Sequence, residues 1–220
     1  MQSFDMQEEW ASQNLVVIRT LMERAAVYRR ALAPVMGLVG LTGIAAGVFG
    51  TARGFETARP FAAYWAAIAM VCMVEAFLLI RRQAIREVEP FWTPPTRRIA
   101  QAVAPAFFAG LVMGVLYFVE DTQRWDLVML LVLIWMALYG LAMHAAGFFM
   151  PRGFRFFGWG YLVAGLGGMA WWVANPVPDA AVAPAFPWGS ANVWMGILFG
   201  GGHAVYGLYL HFTEKSGQVV

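Results

Sequence analysis

The sequence predicts an all-α, polytopic membrane protein, with six transmembrane helices arranged as three helical hairpins behind an N-terminal amphipathic helix. Three observations predict it. Hydrophobic residues fill 60% of the 220 positions and charged residues only 13%, whereas a soluble domain carries about a quarter charged residues. Those charges lie in clusters separated by apolar runs of about 20 residues, the length that a bilayer's hydrocarbon core demands of a helix. Arginines also concentrate in alternate connections, as the positive-inside rule expects of a chain threaded back and forth.

Residues 1–31 form the first element. Trp10, Leu15, Ile18, Met22 and Ala25 recur at helical spacing, with Gln13, Arg19, Glu23 and Arg24 between them. Acids near the start and arginines near the end suit the helix dipole. The segment lacks the long apolar centre of a signal peptide. It reads as a cytoplasmic surface helix, and a docking helix for a cytosolic or membrane partner is the sharper form of that reading.

The spans follow at roughly 32–53, 60–80, 99–119, 127–149, 156–174 and 191–212, with residues 213–220 as a tail. Arg19, Arg24, Arg29 and Arg30 precede the first span. Arg81, Arg82, Arg86, Arg97 and Arg98 fill the second connection, and Arg152 and Arg155 the fourth. The odd-numbered connections hold only Arg53, Arg59 and Arg124, among five acids. Both termini are therefore expected in the cytoplasm. Pro90, Pro94 and Pro95 beside Phe91 and Trp92 place the second connection in the interface, and four prolines stiffen the fifth, roughly residues 175–190. The net charge of +2 comes from these flanking arginines and gives no nucleic-acid footprint. The single cysteine, Cys72, excludes an intramolecular disulfide.

Ionisable groups inside apolar spans cost a few kcal/mol or more unless paired, solvated or ligated. Three stand at matching places. Trp194-Met195 precedes His203-Ala204 by the same interval that separates Trp135-Met136 from His144-Ala145, and Trp65 precedes Glu75 at nearly that spacing. The odd spans carry Val39-Gly40-Leu41, Ala109-Gly110-Leu111 and Ala164-Gly165-Leu166, so each hairpin reads as one copy of a repeat around an axis normal to the membrane. Glu75, His144 and His203 would then share one polar centre. Its plainest role is cross-linking of helices, with Tyr139 or Tyr206 as further partners. Two imidazoles and a carboxylate also form a ligand set for a divalent metal, and His144 and His203 could be axial ligands of a haem. No nucleophile–base pair stands out. The sequence thus favours a non-enzymatic sensory, regulatory or accessory module acting through a partner. The alternative is a metal- or haem-binding carrier or redox subunit.

The run Leu15, Ile18-Arg19, Met22-Glu23-Arg24-Ala25 before a glycine-rich span, and the ending Phe199-Gly200-Gly201-Gly202-His203 with Tyr206-Gly207, resemble a group of uncharacterised bacterial six-helix membrane proteins. The resemblance would span the chain but rests on two short motifs. It implies the bacterial inner membrane and work beside a cytosolic regulator. It transfers no activity and no ligand.

Overall fold

A computed structural model describes residues 32–88, 90–121, 123–150, 152–175 and 189–216. The expected amphipathic helix at 1–31, Trp188 and the end of the tail lie outside these residues. Among those described there is helix and no strand. The helices are α1 (Leu32–Arg53), α2 (Ala58–Arg86), α3 (Pro94–Glu120), α4 (Trp125–Ala146) and α5 (Arg152–Ala174). The sixth, α6, is continuous but composite: Ala191–Met195 is α-helical, Gly196–Gly201 is a π segment, and Gly202–Ser216 is α-helical again.

Five of the six, α1, α2, α3, α4 and α6, are long and apolar enough to cross a membrane. Helix α5 is long enough but is not among them. Its six glycines, three tryptophans and two arginines dilute its apolar content. Helices α2 and α3 also outrun the expected spans, because Pro94 and Pro95 suit the first turn of a helix and Thr93 caps it. Pro105 sits inside α3, as the sequence indicates.

Each helix touches the next in chain order, and the last touches the first. The Tyr64 hydroxyl of α2 donates to the Ala46 carbonyl of α1 (2.8 Å). Arg59 of α2 pairs with Asp121 at the end of α3 (3.0 Å). The Trp135 indole of α4 donates to the Gly110 carbonyl of α3 (2.9 Å). Helices α4 and α5 meet backbone to backbone: a Cβ on Gly165 would stand 2.5 Å from the Ala137 nitrogen.

The closing contact, between α6 and α1, is equally tight. A Cβ on Gly40 would lie 2.5 Å from the Ala204 nitrogen, one on Gly43 2.7 Å from the Gly200 Cα, and one on Gly47 2.7 Å from the Gly196 Cα. Rising numbers on α1 meet falling numbers on α6, so the pair is antiparallel. Small residues allow this approach where lipid supplies no hydrophobic drive between helices. The glycine pairs noted in sequence therefore serve two different ends. Gly40 and Gly165 seat against α6 and α4, whereas Gly110 of α3 receives the indole of Trp135 from α4.

The seam makes a testable distinction between glycines. Gly47→Val drives a side chain into Gly196 and should destabilise the detergent-solubilised protein by about 1–3 kcal/mol, as overpacking does. Gly160→Ala on α5, where an added Cβ meets nothing within 4 Å, should leave the thermal melt unchanged or raised. Equal effects of the two would refute the seam.

Candidate functional site

Two clusters of interior polar groups are built on α6, one at its start and one past its π segment. At the start, Ser190 is the N-cap, its Oγ accepting from the Val193 nitrogen (3.2 Å). Glu56, from the α1–α2 connection, accepts from the Ser190 hydroxyl (2.5 Å) and the Ala191 nitrogen (3.0 Å). A carboxylate at a helix N-terminus is favoured by the orphan N–H groups and the dipole. Asn192, with no solvent exposure, donates from Nδ2 to the Phe55 carbonyl (2.8 Å) and accepts at Oδ1 from the Trp65 indole (2.8 Å). This latch holds the α1–α2 connection and α2 to the head of α6.

The second cluster centres on His203, which is 1% exposed. Its Nδ1 lies 2.6 Å from the Phe199 carbonyl, four residues earlier. A carbonyl can only accept, so Nδ1 carries the proton. Nε2 then accepts, and the Tyr139 hydroxyl donates to it from α4 (2.6 Å). From α5, the Tyr161 hydroxyl donates into the π segment, to the carbonyls of Leu198 (2.9 Å) and Phe199 (3.0 Å), and its oxygen lies 3.1 Å from Nδ1. Widened π turns leave carbonyls in need of outside donors, and Tyr161 is that donor. Phe107, Phe157 and Phe199 enclose the group with ring centroids 4.5–6.2 Å from its members. Three helices, α4, α5 and α6, thus meet at one imidazole, and Phe107 of α3 stacks on its Tyr139 partner.

The three ionisable residues expected to converge are placed in separate settings. Glu75 is half-buried on α2. Its Oε1 accepts from the Thr42 hydroxyl of α1 (2.8 Å), and its buried Oε2 has no hydrogen-bond partner. His144 rests at the foot of α4 between Phe148 and Trp159 (both 5.4 Å), with its buried Nδ1 unpartnered. Among the described residues no three His, Cys, Asp or Glu side chains gather closely enough to hold a metal ion. Nor does His203 suit a haem axial position, because both ring nitrogens are engaged and ligation would require Tyr139 to leave. The donor set fits neither cofactor, and no chemistry is routed through one.

The equal spacing of the two Trp…His pairs hides a rotation. Trp135 and His144 are joined by uninterrupted α-helix, but Trp194 and His203 are separated by the π segment. A π turn takes up one extra residue, so everything beyond it turns by roughly 100° relative to an α-helix. His203 faces the core and His144 does not. Of the tyrosines, Tyr139 joins the network as a partner of His203 and not of Glu75. Tyr206 stacks on Phe157 (4.5 Å) with its hydroxyl unpartnered. Tyr161, Asn192, Glu56 and Thr42 were not picked out by spacing. The one available signal was the run Gly200-Gly201-Gly202 beside His203, which marks a departure from regular helix.

No protein-family model, curated protein or solved structure matches the chain.

What the centre can do chemically is fix α4, α5 and α6 against one another. Tyr139→Phe should strand Nε2 without a donor and cost about 1–3 kcal/mol of stability. Solid-state ¹⁵N spectra of histidine-labelled protein should show one ring, absent in His203→Asn, with Nδ1 protonated and Nε2 bare. The opposite tautomer would overturn the assignment.

Proposed function

We propose that this chain is a six-span integral membrane module of the bacterial inner membrane, built of three hairpins with both termini cytoplasmic. It has no catalytic role of its own, and serves as a sensory, regulatory or accessory subunit through a membrane or cytosolic partner. The observation that carries this reading is how the interior polar side chains are used. His203, Tyr139, Tyr161, Asn192, Trp65 and Glu56 each bond to a group from another helix or connection. A transporter, by contrast, keeps its polar groups for substrate at broken helices near the midplane. With these six side chains committed to holding helices together, the reading assigns action to the outside of the bundle and to the segment 1–31.

The arginine distribution supports the orientation, and an even number of spans agrees with termini on one side. The same asymmetry gives α5 a place as a span despite its low apolar content. It is flanked by Arg152 and Arg155 at one end and packs backbone to backbone on α4.

Two measurements test the proposal. In a Cys72→Ala background, Gln123→Cys should react with a membrane-impermeant maleimide added outside spheroplasts, and Lys215→Cys only after lysis. The reverse pattern refutes the topology. Deleting residues 1–28 should leave membrane insertion intact while abolishing cross-linked capture of the partner. Capture that survives the deletion sinks the docking role.

A further inference from the structure

The arginines at the two ends of the bundle are treated differently. At the end bearing the α1–α2 and α3–α4 connections two of the three arginines are ion-paired: Arg59 pairs with Asp121 (3.0 Å) and Arg124 binds both oxygens of Asp126 (2.6 and 3.1 Å), while Arg53 lies over the Phe49 ring (5.9 Å). At the opposite end, Arg81, Arg82 and Arg86 of α2 and Arg97 and Arg98 of α3 are all exposed. None of the five is in an ion pair among the described residues. Two acids, Glu87 and Glu89, share this connection, and Glu87 accepts from Gln83 (3.0 Å).

Helix length puts these guanidinium groups at a definite depth. The Arg59–Asp121 pair ties the start of α2 and the end of α3 to one level. Counting the roughly 20 residues that cross a hydrocarbon core from that level ends near Leu78 on α2 and near Ala100 on α3. Both helices continue: α2 has 29 residues and α3 has 27, about 43 and 40 Å at 1.5 Å per residue. The surplus turns stand in the headgroup layer, and all five arginines are on them.

The described residues 90–93 of the connection are folded against the helices. Phe91 meets Phe77 edge to face (5.1 Å) and stacks on Trp92 (6.4 Å), and its carbonyl accepts from the Thr96 hydroxyl (3.2 Å). Phe77 and Arg81 are one helical turn apart on the same face, so the aromatic corner lies beside the first arginine. Trp92 remains 62% exposed, at the depth where tryptophan rings favour the interface.

We infer that the α2–α3 corner is a binding site for the phosphate of anionic phospholipids in the membrane the protein occupies. Arg81, Arg82 and Arg86 approach it from α2 and Arg97 and Arg98 from α3, while Trp92 packs on the glycerol and upper acyl chain. Guanidinium suits the task because its planar fork binds phosphate through two parallel hydrogen bonds. Unpaired basic groups just beyond a span are attracted to anionic headgroups by about 1 kcal/mol each. The inference rests on membrane insertion alone and is independent of the partner role proposed above.

Full-length protein in detergent, titrated with mixed micelles of phosphatidylglycerol, phosphatidylcholine or with inorganic phosphate, tests it. Wild type should bind phosphatidylglycerol in preference to phosphatidylcholine. R81Q/R82Q/R86Q and R97Q/R98Q should each weaken that preference by about fivefold per arginine. The matching Lys variants should retain most of it, and R155Q on α5 all of it. Trp92→Ala should weaken both lipids alike. Unchanged phosphatidylglycerol binding in a Gln variant that melts as wild type overturns the site. So does equal affinity for the two lipids, or displacement of phosphatidylglycerol by inorganic phosphate at comparable concentration.

Discussion

The contact between α1 and α6 fixes the rest of the bundle. Within a bilayer, burying one more leucine gains nothing over leaving it in lipid. Cohesion must come from dispersion at close range and from hydrogen bonds between helices. Gly40, Gly43 and Gly47 let the α6 backbone approach until an added methyl would overlap it. With α6 held there, the residues along it are directed at fixed targets. Asn192 reaches Trp65 and Phe55, and His203 reaches Tyr139. A looser seam would separate the donors and acceptors of both clusters at once.

The π segment lies within that seam, and the two features depend on each other. Gly200 of the segment packs against Gly43 and Ile44 of α1 on one side, while the segment's carbonyls receive Tyr161 of α5 on the other. The irregularity is tolerable at membrane depth because it is enclosed by protein and its backbone groups find donors. It also sets the direction of His203. A straight helix of the same sequence length would aim that imidazole at a different neighbour.

Much of the architecture was legible in the sequence, for reasons that are physical. Apolar runs of bilayer length cannot be hidden, and five of the helices are long and apolar enough to cross a membrane. The ends of α2 and α3 were not legible, because arginines beyond the hydrocarbon core are good helix formers and continue the helix unnoticed. Glu75, His144 and His203 stand out in the sequence as ionisable groups in apolar runs, but only spacing suggests that they converge. Spacing encodes direction only along a uniform helix, and α6 is not uniform. Glu56 and Asn192 were invisible for another reason. Their partners, Ser190 and Trp65, are distant in the chain, and only the closure of α6 on α1 brings them into reach.

That closure joins α1 to α6. During synthesis α1 emerges with its glycine face bare and waits through four further helices, α2 to α5, before its partner exists. Until then the chain is an open row of helices, and neither α6-centred cluster can form. The bundle can complete itself only after the final helix has been delivered. Truncation anywhere before Ala191 would therefore leave an unclosed intermediate, with an exposed small-residue groove for quality-control proteases or stray helices to recognise.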